Sequence, residues 1–146
     1  MIRTWIPTLL LNAIVAVPAM AGTATFDTIA LSGDAAPGTP AGVSYGSFGN
    51  PVLNDAGQIA FNAGLAGASV GVDNDRGIFS EAAGSPGMPG LVAREGDPAP
   101  GTAAGITYGT IFDVPVLDDA GQAAFRGFVF GPGVDTTNDS GVFSEA

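Results

Sequence analysis

"LNDAGQIAF", residues 53–61, returns as "LDDAGQAAF" at residues 117–125. The phrase divides into two halves with different physical demands. In Asn54-Asp55-Ala56-Gly57 an Asn stands first and a Gly fourth, the preference of a type I turn. A glycine at positive φ then supplies the bulge that lets such a turn close a hairpin. The Asn54 side-chain oxygen can accept a hydrogen bond from the backbone two residues on, and Asp118 offers the same acceptor in the second copy. The second half alternates with a period of two. Ile59, Phe61, Ala63 and Leu65 fall on one face of a strand, and Gln58, Ala60, Asn62 and Gly64 on the other. Ala60 and Ala124 place a small apolar residue on that second face, as expected where another sheet packs close.

The duplication extends well beyond this phrase. "IALSGDAAPGTPAGVSYGSF" from Ile29 aligns with "VAREGDPAPGTAAGITYGTI" from Val92 at an offset of 63 residues. "PVLNDAGQIAF" from Pro51 aligns with "PVLDDAGQAAF" from Pro115 at an offset of 64, as does "NDRGIFSEA" from Asn74 with "NDSGVFSEA" from Asn138. The expected organisation is a signal peptide over 1–21, one β unit over 22–82, a Gly/Pro linker at 83–90 and a second β unit over 91–146. "APG" at 36–38 and 99–101 gives the Pro-Gly pair of a type II turn. "RGIFSEA" and "SGVFSEA" predict a third strand in each unit. "LVAREGD" predicts a fourth, matched near the start by "IALSGD".

Short strands separated by turns predict an all-β chain of antiparallel four-stranded repeat units. A β-propeller-like arrangement fits the count, with two blades that are partial or completed by oligomerisation; a β-sandwich is the alternative. Residues 24–31 read as the last strand of a unit, and the sequence given ends after a third strand, the offset by which propellers close one blade with both chain ends.

The opening "MIRTWIPTLLLNAIVAVPAMAG" has Arg3 as its one charge, an apolar run, and small residues at Ala19 and Ala21. It reads as a secretory signal cleaved after about Ala21. From Gly22 onward the 14 acidic residues face only Arg76, Arg94 and Arg126, a net charge near −11. Such a charge repels phosphate, so nucleic acid is excluded as a partner, and no membrane is expected for the mature form. The absence of His and Cys removes the Ser-His-Asp and Cys-His triads, the usual zinc and haem ligands, and disulfides.

Asn54-x-x-Gly57-x-x-Ala60-Phe61 resembles the signature of the NxxGxxAF tandem-repeat, or choice-of-anchor, proteins of bacteria, and "GDxAPG" at 33–38 and 96–101 resembles the same repeat. The resemblance covers about residues 26–146 and implies export and surface location, with no activity attached. Asp118 departs from the signature's Asn.

Three patterns could carry chemistry. Asp73/Asp75 in "DNDRG" and Asp135/Asp139 in "DTTNDSG" alternate oxygen donors as one limb of a calcium loop does, although an Asn/Asp/Gly hairpin loop explains them equally. Asp118-Asp119 pairs two carboxylates, but neighbours on a turn diverge too much for glycosidic acid/base work. Tyr45 and Tyr108 offer sugar-stacking rings, against which stands a repeated aromatic core with Phe61, Phe79, Phe125 and Phe143. Arg94 and Arg126, present in the second copy alone, read as surface ion-pair partners. No residue is assigned a catalytic, cofactor or metal role. The expectation is a non-enzymatic, secreted, periplasmic or cell-surface protein with a structural or interaction role. Its partners would be further copies, a longer repeat array, a glycan or a surface protein, and the alternative function is an oligomeric propeller-type carbohydrate-binding module.

Overall fold

A computed structural model describes residues 24–110 and 113–145. The signal segment expected over 1–21 lies outside the described residues. Within them the chain is all-β: β1 Ser44–Phe48, β2 Val52–Leu53, β3 Ile59–Ala66, β4 Arg76–Ser85, β5 Met88–Arg94, β6 Thr107–Tyr108, β7 Val116–Leu117, β8 Ala123–Phe130 and β9 Ser140–Ser144. Every pairing is antiparallel. The first sheet runs β1-β3-β4-β5 with β2 beside β3; the second runs β6-β8-β7 with β9 beside β8.

The repeated phrase forms what its residues dictate. Gly57 N–H donates to Asn54 O at 3.0 Å and Gly57 takes a φ of 83°, closing the β2–β3 hairpin by a turn and a bulge. Gly121 does the same with Asp118 O at 3.1 Å and a φ of 87°. Asn54 Oδ1 accepts from Ala56 N (3.1 Å) and Gln58 N (2.9 Å), and Asp118 Oδ1 accepts from Ala120 N (2.9 Å) and Gln122 N (2.8 Å). At 36–39 the Pro37-Gly38 pair bends the chain with Gly38 at a φ of 76° and Thr39 N–H bonded to Ala36 O, a type II turn.

Each sheet carries an aromatic triangle. Tyr45 meets Phe79 edge-on at 4.9 Å, and Phe61 stacks on Phe79 at 5.8 Å. Tyr108 meets Phe143 at 4.8 Å, and Phe125 stacks on Phe143 at 5.8 Å. Phe61, Ala63 and Leu65, the predicted inward face of β3, lie in one buried cluster with Tyr45 and Phe79. A second cluster joins Ile78 and Ala93 of the first sheet to Ile106, Tyr108, Phe125 and Val129 of the second. The two sheets are therefore packed through a shared core.

Two expectations need correction. The 83–90 stretch is not a linker: β4 continues through Ser85, β5 begins at Met88, and Pro86-Gly87 turns between them. Glycine lets the two arms touch there, since a Cβ on Gly84 would lie 2.0 Å from Met88 O and one on Gly90 2.2 Å from Ala83 O. β5 thus completes the first sheet, and the boundary at residue 91 cuts a strand. The segment matching the end of β5, "IALSGD" at 29–34, forms no strand: Gly33 and Asp34 exchange backbone hydrogen bonds with Tyr45, but residues 29–32 have no neighbouring edge beside them among the described residues.

Candidate functional site

The sheets meet along a junction built from repeated residues. Asn54 Nδ2 donates to Gln58 Oε1 and, across the junction, to Asp118 O, both at 2.8 Å. The Gln58 amide lies over Gly121, where a Cβ would come within 2.4 Å of it. Ser80 Oγ donates to Glu145 Oε2 at 3.0 Å. That carboxylate also accepts from Ala123 N (2.8 Å), the role Glu81 performs for Ile59 N (2.9 Å) in the first sheet. The Glu of "FSEA" is thus explained as an acceptor for the first amide of β8 or β3. Sequence reasoning missed it, because the partner lies 22 residues away.

On the opposite side of the junction a cleft of about 370 Å³ is lined by Val72, Asp73, Glu95, Tyr108, Thr110 and Phe130. Glu95 is its chemically distinctive group. The residue is buried and its Oε2 has no hydrogen-bond partner. Burial pushes its carboxyl above the ordinary range, the neighbouring Asp75 carboxylate pushes the same way, and Thr110 opposes them. The position was not singled out from sequence, since its counterpart at an offset of 63 is Ser32.

The predicted candidates fall elsewhere. Tyr45 and Tyr108 are both buried in the aromatic triangles and present no ring face for sugar stacking. Burial, with Asp34 adding, pushes the Tyr45 phenol up to about 12, and burial raises that of Tyr108. In the acidic loops the asparagines bind their own backbone. Asn74 Oδ1 accepts from Gly71 N (2.7 Å) and its Nδ2 donates to Ser69 O; Asn138 repeats this with Asp135 N (2.7 Å) and Gly133 O. Asp135 Oδ1 accepts from Thr137 N and Thr137 Oγ1, which hold its carboxyl below the usual range. Among the described residues no three carboxylates gather as a metal would need. Asp118 and Asp119 stand exposed on a turn, and Asp118 serves its own backbone. Arg126 pairs with Asp113 at 2.7 Å on the surface, as expected. Arg94 does not: it is buried, with Nε donating to Asn74 O at 3.2 Å. It ties the end of β5 to the loop before β4.

Residues 13–146 match one family description from near the start of the chain to its last residue. This chain belongs to DUF7453, a family of unknown function. The DUF7453 region takes in both sheets, their junction and the Glu95 cleft, so the family is defined over the paired units rather than over one. No curated protein and no solved structure matches the chain.

Proposed function

We propose that this DUF7453 protein is an exported, acidic repeat protein with a structural or interaction role at or outside the cell envelope, and that its units are propeller-like blades. The observation that supports this reading most is the use of the recurring residues. Asn54/Asp118, Gly57/Gly121, Phe61/Phe125, Ser80 and Glu81/Glu145 build turns, cores and the contact between neighbouring units. A sequence duplicated to repeat such contacts is suited to presenting a surface. The NxxGxxAF resemblance and the apolar N-terminal stretch support export. The burial of Tyr45 and Tyr108 weighs against the glycan-binding alternative.

Expression of the full chain in a Gram-negative host, followed by fractionation and N-terminal sequencing, tests the location. The expected product lies outside the cytoplasm and begins at about Gly22. Recovery of an unprocessed cytoplasmic chain starting at Met1 would overturn it.

A further inference from the structure

The contact between the two sheets buries one face of each, and the duplication places a copy of both faces on the outside of the molecule. On the first sheet the buried side of this contact includes Ile78 and Ser80, both 0 % exposed. Their counterparts in the second sheet, at an offset of 64, are Val142, 80 % exposed, and Ser144, also exposed. An open groove of about 320 Å³ lies there, lined by Val116, Asp118, Gln122, Ala124, Ser144 and Glu145. It repeats the positions of Val52, Asn54, Gln58, Ala60, Ser80 and Glu81, the first-sheet residues along the internal contact.

The other face shows the same asymmetry in reverse. Pro115 and Ala123 of the second sheet are fully buried, while Pro51 is exposed and Ile59 half-buried. Pro51 and Ile59, with Ile29 and Ala30, line an apolar groove of about 140 Å³. Ala30 corresponds to Ala93, which is buried in one cluster with Ile78. Ile29 and Ala30 already pack against their own unit's core, as Val92 packs against its own, but nothing among the described residues takes the place of Ile78 above them.

We propose that the protein self-associates head to tail, β9 of one copy receiving residues 28–31 of the next as an added strand. The occupant is a second copy because the chain already contains this contact once, with its register. β5 pairs with β4 as Gly77↔Arg94, Ile78↔Ala93 and Phe79↔Leu91, and Glu95 N donates to Arg76 O at 3.0 Å. Shifting by the two offsets pairs Gly141 with Leu31, Val142 with Ala30 and Phe143 with Thr28, and lets Ser32 N donate to Ser140 O. Val142 then covers Ala30 as Ile78 covers Ala93, and extends a cluster in which Val43 and Tyr45 are already buried. Ser144 reaches Glu81 as Ser80 reaches Glu145. The two faces differ, so the association is heterologous and builds rings or filaments rather than a closed two-fold dimer.

One contact is lost in the transfer. Asn54 donates its amide across the internal contact, but Asp118 in its place has no donor. Asp118→Asn restores it.

The inference rests on the interaction reading above and names its partner. The test is sedimentation velocity on the purified full chain from about 1 to 200 μM, with far-UV circular dichroism as a check on folding. The expected wild-type result is a concentration-dependent series of masses beyond the dimer, and Asp118→Asn shifts it to about three- to tenfold lower concentration. Val142→Glu, on the tail face, and Ala30→Glu, on the head face, each give folded monomers. Mixed in equal amounts, they give a dimer and nothing larger, because each retains the face that the other lacks. A wild-type monomer across the range, or a mixture that stays monomeric, overturns the proposal. So does assembly that both substitutions leave unchanged. A monomer found outside the cytoplasm would fail this inference while leaving export standing; an assembling chain retained unprocessed would do the reverse.

Discussion

The Asn54 side chain acts in four hydrogen bonds. Its Oδ1 fixes two amides of its own turn, and its Nδ2 binds Gln58 and, across the sheets, Asp118 O. Asn54→Ala removes them all and is expected to lower unfolding free energy by about 1–2 kcal/mol, read as a fall in the urea midpoint at unchanged slope. Asn54→Asp keeps the two turn bonds and loses the donor, so a smaller loss is expected. Glu95 works in the other direction. Its folded-state pKa is raised, so its contribution is fully present below the unfolded carboxylate value. It is lost as pH rises through the folded one. Glu95→Gln keeps the shape without the charge. The variant should match the wild type near pH 3, exceed its thermal midpoint at pH 7, and show a flatter profile between.

At the scale of elements, the same turn is built under two different constraints. Gly57 and Gly121 both adopt positive φ, which costs any other residue about 1 kcal/mol or more. A Cβ on Gly57 meets nothing within 4 Å, whereas one on Gly121 runs into the Gln58 amide. That amide is itself held by Asn54, so it yields only by breaking a bond. Gly57→Ala should cost the backbone strain alone, and Gly121→Ala that strain plus about another 1 kcal/mol, compared by chemical denaturation. The β4–β5 hairpin shows a related economy of side chains. Where Gly84 and Gly90 stand, the arms come too close for any Cβ, so its high glycine content reflects backbone contact rather than a flexible linker.

For the whole molecule, charge and apolar surface act against each other. Copies carrying a net charge near −11 from Gly22 onward repel one another. Exposed Val142, Leu31 and Phe26 lie on or beside the faces that the repeat would join. Head-to-tail association should therefore strengthen as salt is raised from about 20 to 300 mM, since screening weakens the repulsion and leaves the apolar contact intact. A fall in assembled mass with salt would mean that ion pairs, not Val142 and its surroundings, hold the copies together.

Local rules made much of the fold legible. The Asn-x-x-Gly turn, the Pro-Gly turn and the period-two face of β3 each depend on residues within a few positions of one another, and the sequence by itself determined them; the aromatic repeat was legible because the duplication writes it twice. The all-β class followed from those same short-range signals. Tertiary structure decided the rest. Arg94 read as a surface ion-pair partner and Glu95 carried no signal of its own, yet burial at the junction gave Arg94 a backbone carbonyl of another loop and raised the pKa of Glu95. Residues 83–90 had a linker's composition, but β4 and β5 pair through it, with Gly84 and Gly90 where their backbones come closest. Most tellingly, "IALSGD" and "VAREGD" are alike in sequence and differ in structure. A strand needs a neighbouring edge to accept its hydrogen bonds, and β4 supplies one to β5, while residues 29–32 have none beside them among the described residues.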